Sequence, residues 1–182
     1  MRRFGIAALG LILAAASGAS AAETASAVIS QTGTSGPNFD YSIVLHNTST
    51  DGSAIGTFWY AWVPGEDFMK SNPVSVTNPN GWGDNITSSA GFAIQWVAGA
   101  GSAIPAGGSD TFSFVSPDDF ATMTGNSPYY SPATPIGTSY VYSGGPFSDG
   151  GFRFVVAVPE PASIGMLRTL AVFALKRSRR VV

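Results

Sequence analysis

The chain has 182 residues, a formal net charge of −2 and no cysteine, which rules out a disulfide framework and any thiolate metal site. Of its nine bases only Lys70 and Arg153 lie between the terminal segments, against every acid but Glu160. The middle therefore carries a formal charge of −8 and lacks the clustered cations that nucleic acid demands. Charged residues are 11% of the sequence and hydrophobic ones 45%, a composition that suits an exported domain, held by packing and solvated by hydroxyls and amides, better than a cytosolic enzyme.

Arg2 and Arg3 open the chain with positive charge, Phe4 to Ala16 form an apolar run, and Ala19-Ser20-Ala21 supplies the small residues that signal peptidase selects. This order predicts a secretory signal peptide over 1–21, cut after Ala21 or Ala22. A retained transmembrane anchor is the competing reading, and the run falls short of the ~20 apolar residues that cross a bilayer. Twin-arginine export is a further alternative. The residues such a signal prefers around its arginines are missing here.

From 22 to 157 the apolar residues recur with a period near two, and Gly, Pro, Asn and Ser punctuate them. Ala27 to Gln31 predicts a first strand. Phe39, Tyr41, Ile43 and Leu45 alternate with Asp40, Ser42 and His46 and predict a half-buried one. Ile55 to Val63 is apolar on both faces and stops at Pro64-Gly65, the pattern of a central strand. Phe92, Ile94 and Trp96, then Phe112 and Phe114, then Ser139 to Tyr142 and Phe152 to Val156 complete roughly seven strands. The expected fold is all-β, an antiparallel β-sandwich of immunoglobulin-like or jelly-roll type. Two stretches, Glu66 to Asn85 and Pro117 to Pro135, read as long loops, with a helical turn over Pro117 to Ala121.

Little in this middle segment points to catalysis. His46 is the one histidine, and no nucleophile-elbow pattern accompanies it. Zinc and copper want several histidines or cysteines, and no Asp-x-Asp-x-Asp-Gly calcium loop is present. No metal, cofactor or catalytic residue is therefore assigned. Carboxylates at Glu66-Asp67, Asp84, Asp118-Asp119 and Asp149 leave a glycosidase open, since that chemistry needs two acids across a sugar. Trp59, Trp62 and Trp96 sit in strand patterns and belong by default to the core. Trp82, between Gly81 and Gly83, and Tyr129-Tyr130, between prolines, fall in the expected loops and are the candidates for stacking against sugar rings.

The chain ends with Val158-Pro159-Glu160-Pro161, an apolar run from Ala162 to Leu175, and the basic cluster Lys176-Arg177-Ser178-Arg179-Arg180. Prolines stop the last strand, the apolar run seeks the bilayer as a hydrophobic helix, and the bases stay on the cytoplasmic side. This tail, 158–182, resembles the PEP-CTERM sorting domain of Gram-negative bacteria that make extracellular polysaccharide. The resemblance implies recognition by an exosortase-type membrane protease that cuts near Pro159-Glu160-Pro161. Arg168 departs from the family's uncharged run, at an insertion cost of ~2.5–3.5 kcal/mol for a central arginine. An amphipathic surface helix is the competing reading of the same segment.

The function expected is that of an exported, non-enzymatic envelope or extracellular-matrix protein. It is processed by signal peptidase and an exosortase, transiently anchored in the inner membrane, and associated with exopolysaccharide. A carbohydrate-binding module using Trp82, Tyr129 and Tyr130 is the alternative, and a glycosidase-like enzyme comes third.

Overall fold

The structure, a computed structural model, describes residues 23–130 and 133–159. The expected signal peptide with Ala19, Ala21 and Ala22, and the sorting-tail residues Glu160, Pro161, Arg168, Lys176, Arg177, Arg179 and Arg180, lie outside them. Among the described residues no helix is long and apolar enough to cross a membrane.

In chain order the elements are β1 (Ala25–Ser35), β2 (Asn38–Asn47), β3 (Thr57–Tyr60), β4 (Trp62–Val63), β5 (Glu66–Asp67), β6 (Ser75–Thr77), β7 (Trp82–Ser88), β8 (Phe92–Ala98), β9 (Ser109–Ser116), α1 (Phe120–Thr124), β10 (Thr138–Tyr142) and β11 (Phe152–Val155). They form an all-β sandwich of two antiparallel sheets, with strand orders β1-β2-β9-β6 and β11-β10-β3-β8-β7, plus the small β4-β5 hairpin. The run that is apolar on both faces, β3, lies in the middle of the second sheet, where neighbours cover both sides.

Local chemistry sets the turns. Gly36 takes φ 64 at the first central position of the β1–β2 hairpin, the primed-turn geometry that matches strand twist. Pro64-Gly65 joins Val63 to its partner Glu66, with proline fixing one φ and Gly65 at φ 89. The β1–β2 hairpin brings its strands into the register that hides one face.

That face is aromatic. Tyr41, Ile43 and Leu45 of β2 and Phe112 and Phe114 of β9 meet Phe58 and Tyr60 of β3, Ile94 and Trp96 of β8 and Val141 of β10. Phe112 touches Phe58, Trp96 and Trp82, at centroid distances of 5.3, 5.0 and 5.0 Å. The two sheets are also stitched at one seam, where the Ala157 N–H donates to Ala27 O at 2.8 Å and the Ile29 N–H donates to Ala157 O at 2.9 Å.

Some expectations need correcting. The stretch Glu66 to Asn85 is not one loop: it holds β5, β6 and the start of β7. β7 is a polar edge strand, and edge strands need no apolar alternation. The helix begins at Phe120, later than the turn expected from Pro117, because Asp119 serves as its N-cap and accepts from the Thr122 N–H at 2.8 Å.

The loops collect at two ends. Residues 48–56, 99–108 and 143–151 meet near Glu23, tied by Asn47 N–H to Gly108 O and by the Thr57 hydroxyl to Gly144 O. Residues 64–74, α1, 125–130 and 133–136 gather at the other end, tied by Ser71 to Asp118 and by Ile136 N–H to Gly125 O.

Candidate functional site

The second end holds a cleft of about 550 Å³ lined by Lys70, Asp119, Ala121, Thr122, Gly125, Asn126, Pro128, Tyr129 and Ile136. One wall comes from α1, which is too short to stand alone and is held by tertiary contacts. Tyr41 in the core donates its hydroxyl to Asp118 O at 2.7 Å, and Phe120 stacks on the Tyr41 ring. Asp118 in turn accepts from the Ser71 N–H and hydroxyl at 3.0 and 2.8 Å, which draws the Lys70 segment to the helix. Burial pushes the Tyr41 phenol up to about 12, with Asp119 and Asp118 adding to the shift, so it stays a donor at any physiological pH. Tyr41→Phe leaves the buried Asp118 carbonyl without its donor. Chemical denaturation should show a loss of about 1–3 kcal/mol.

Tyr129 forms the aromatic part of the lining. It is 40% exposed, its N–H is fixed by the Ser127 hydroxyl at 3.2 Å, and one ring edge rests on Gly91. Tyr130 is 39% exposed and lies edge-on to Phe68, 5.5 Å between centroids. Asp119 is held below the usual carboxylate range by Thr122, first through its backbone N–H and then its hydroxyl, with Lys70 adding a smaller pull. The cleft thus combines a tyrosine face, an apolar floor of Pro128 and Ile136, and donors and acceptors from Lys70, Asp119, Thr122 and Asn126. Such a mix holds a ring with an apolar face and a hydroxylated rim.

Trp82, proposed beside the tyrosines as a stacking residue, is not exposed. It is 7% accessible, packs edge-on to Phe112, and leaves its indole Nε1 buried with no partner. As the first residue of β7, opposite Ala98, it turns its ring into the core, with the chain reversal before it carried by Gly81 at φ 80. Tyr129 and Tyr130 remain where the sequence places them, on the surface. Lys70, Thr122, Asn126 and Ile136 carry no sequence signal for a site; only the meeting of three loops brings them together.

A second aromatic group lies outside the main core. Trp59 and Trp62 stack at 3.7 Å with planes 2° apart, and Phe147 meets both edges at 5.7 Å. In an unbroken strand residues three apart face opposite sides, but Ala61 takes φ 57 and brings Trp62 round beside Trp59. The Trp59 Nε1–H donates to the Thr87 hydroxyl at 3.3 Å, which donates to Asp67 at 2.5 Å. Both tryptophans are buried, as the strand pattern predicts, though in this separate cluster. His46 is exposed on β2, and the described residues contain no group of three metal-ligating side chains.

No family model matches the chain, and no curated protein matches it. Among solved structures, the GH20 exo-β-N-acetylglucosaminidase of Vibrio harveyi is similar both as an inactive mutant and in complex with N-acetylglucosamine. The TM-scores are 0.42 and 0.40 at 16% and 13% identity. Each match covers 74% of this chain and 18% of the enzyme's chain, and likeness at that level has no bearing on activity.

Proposed function

We propose that this is an exported, non-enzymatic envelope or matrix protein whose sandwich holds a neutral polysaccharide chain in the cleft beside Tyr129. The observation that carries the proposal is the cleft itself: about 550 Å³, lined by the exposed Tyr129, by the apolar Pro128 and Ile136, and by the polar Lys70, Asp119, Thr122 and Asn126. That volume falls within the range of small-ligand sites. Asp119 is the one acid in the lining, whereas hydrolysis of a glycoside needs two carboxyls across the bond, so the cleft is equipped for holding and not for cutting. A formal charge of −8 on the middle of the chain repels polyanions, and the lone Lys70 lies beside Asp119, which favours an uncharged polymer.

Export and sorting complete the reading. The sheets end at Ala157, and Pro159 is exposed just beyond the last stitched residue. The Pro159-Glu160-Pro161 element therefore starts at an exposed proline just past that seam, which suits cutting by an exosortase-type protease.

Affinity electrophoresis in gels cast with the host's neutral exopolysaccharide tests the cleft. Tyr129→Ala should weaken retention about tenfold or more, while Tyr129→Phe, which keeps the ring, should stay within a factor of a few. Equal retention of wild type and Tyr129→Ala would remove the cleft from the account.

A further inference from the structure

The carboxyls of Glu23 and Asp149 meet at the end of the sandwich away from the cleft. Glu23 is 3% exposed, and its Oε1 is buried without a hydrogen-bond partner. Its carboxyl lies close to that of Asp149, with Asp51 acting from farther off. Asp149 cannot easily move away: it accepts from the Ser143 N–H at 2.9 Å, the Ser143 hydroxyl, and the Gly151 N–H at 2.8 Å. The Tyr142 phenol, pushed up to about 12 chiefly by burial, adds no charge. None of the charged groups acting on Glu23 among the described residues is a cation.

Such an arrangement is incomplete. Two neighbouring carboxyls resist joint ionisation, and a buried one resists it further. Burial raises the Glu23 carboxyl above its ordinary range, and the largest opposing influence is a hydrogen bond from its own backbone nitrogen. That nitrogen is therefore the group best placed to supply what the pair lacks.

In the precursor it is a neutral amide with a single N–H. Hydrolysis after Ala22 breaks the Ala22–Glu23 peptide bond: water's oxygen leaves with Ala22 as its carboxylate, and the nitrogen becomes a primary amine that takes up a proton. An α-amino group of ordinary pKa, ~7.7–8.0, is an ammonium at neutral pH. A cut after Ala21 places the same charge one residue earlier.

We propose that the Glu23–Asp149 pair is the docking site for the α-ammonium created when the leader is removed, so that processing completes the fold electrostatically. This rests on the export reading given above. Before the cut, the folded chain binds more protons at Glu23 than the unfolded chain does. Its stability therefore falls as pH rises from about 4.5 through the raised value. After the cut, the ammonium favours the ionised pair and offsets that fall until it loses its own proton in the alkaline range.

The chain from Glu23 to Val182, kept in one detergent, is compared with the same chain carrying a flexible Gly-Ser extension ahead of Glu23. The extended form should melt about 3–6 °C lower at pH 7, with the difference closing towards pH 4 and again above about pH 10. A Glu23→Gln/Asp149→Asn variant should show no such difference at any pH. Equal midpoints at pH 7 would overturn the proposal, and so would a difference that survives in the double variant, since a steric effect would then explain it. Mass spectrometry of protein recovered from the host judges the export reading separately. A chain starting at Met1 overturns that reading and the maturation step with it, whereas a start at Glu23 with equal midpoints overturns the pair's role alone.

Discussion

Phe112→Ala should lower the free energy of unfolding by about 3–5 kcal/mol. Phe112 is fully buried on β9 and is the ring of the first sheet that meets three rings of the second: Phe58, Trp96 and Trp82. Truncation removes the apolar burial and leaves a void that cannot readily collapse. Trp96 is pinned because its Nε1–H donates to Asn78 Oδ1 at 2.9 Å, and Phe58 is stacked on Trp96 at 5.4 Å with planes 13° apart. Phe112→Leu refills part of the space and should cost about half as much or less. Urea unfolding followed by far-ultraviolet circular dichroism checks this. A lower midpoint at unchanged slope identifies lost packing, while a loss under about 1 kcal/mol for the alanine variant would mean that the sheets are not packed through this ring.

What was legible in the sequence follows from where burial is one-sided. Tyr41, Ile43 and Leu45, like Phe112 and Phe114, recur at every second position because their strands hide one face, and periodicity finds them. Ile55 to Val63 announces a central strand by its unbroken apolar run from Phe58, yet nothing in it reveals that Ala61 adopts a left-handed conformation and pairs Trp62 with Trp59. β7 escaped because Gly83, Asp84 and Asn85 are exposed at a sheet edge, which looks like a loop in one dimension. The same blindness misplaced Trp82, whose flanking glycines suggest an exposed tip, whereas Gly81 at φ 80 carries the reversal that turns the ring inward. The cleft was half visible. Tyr129 stood out as an aromatic in a proline-rich loop, whereas Lys70 and Asn126 join it only through contacts between segments distant in sequence.

Gly91→Ala should cost about 2–4 kcal/mol of stability and, with it, most of the polysaccharide retention. An added Cβ would collide with Asp67 O, stand 2.7 Å from Met69 O, and press on Tyr129 Cε2 at 3.0 Å. The first two are main-chain atoms that cannot rotate aside. Met69 O also accepts from the Phe92 N–H at 2.9 Å, and the Met69 N–H donates to Phe92 O at 2.7 Å, so making room means loosening this paired bridge. Strain of overpacking at ~1–3 kcal/mol, together with weakened buried hydrogen bonds at ~1 kcal/mol each, sets the size of the effect. Asp67 carries the disturbance further, because its carboxylate accepts from Thr87, the hydroxyl that holds the Trp59 indole. Tyr129, pushed off its glycine seat, would no longer present its ring at the cleft. The two readouts separate cause from consequence. Tyr129→Ala should lose retention while unfolding at nearly the wild-type midpoint, whereas Gly91→Ala should lose both. A Gly91→Ala protein that melts like wild type and still binds the polymer would show that β8 and the Tyr129 loop are not in the close contact on which the cleft's shape depends.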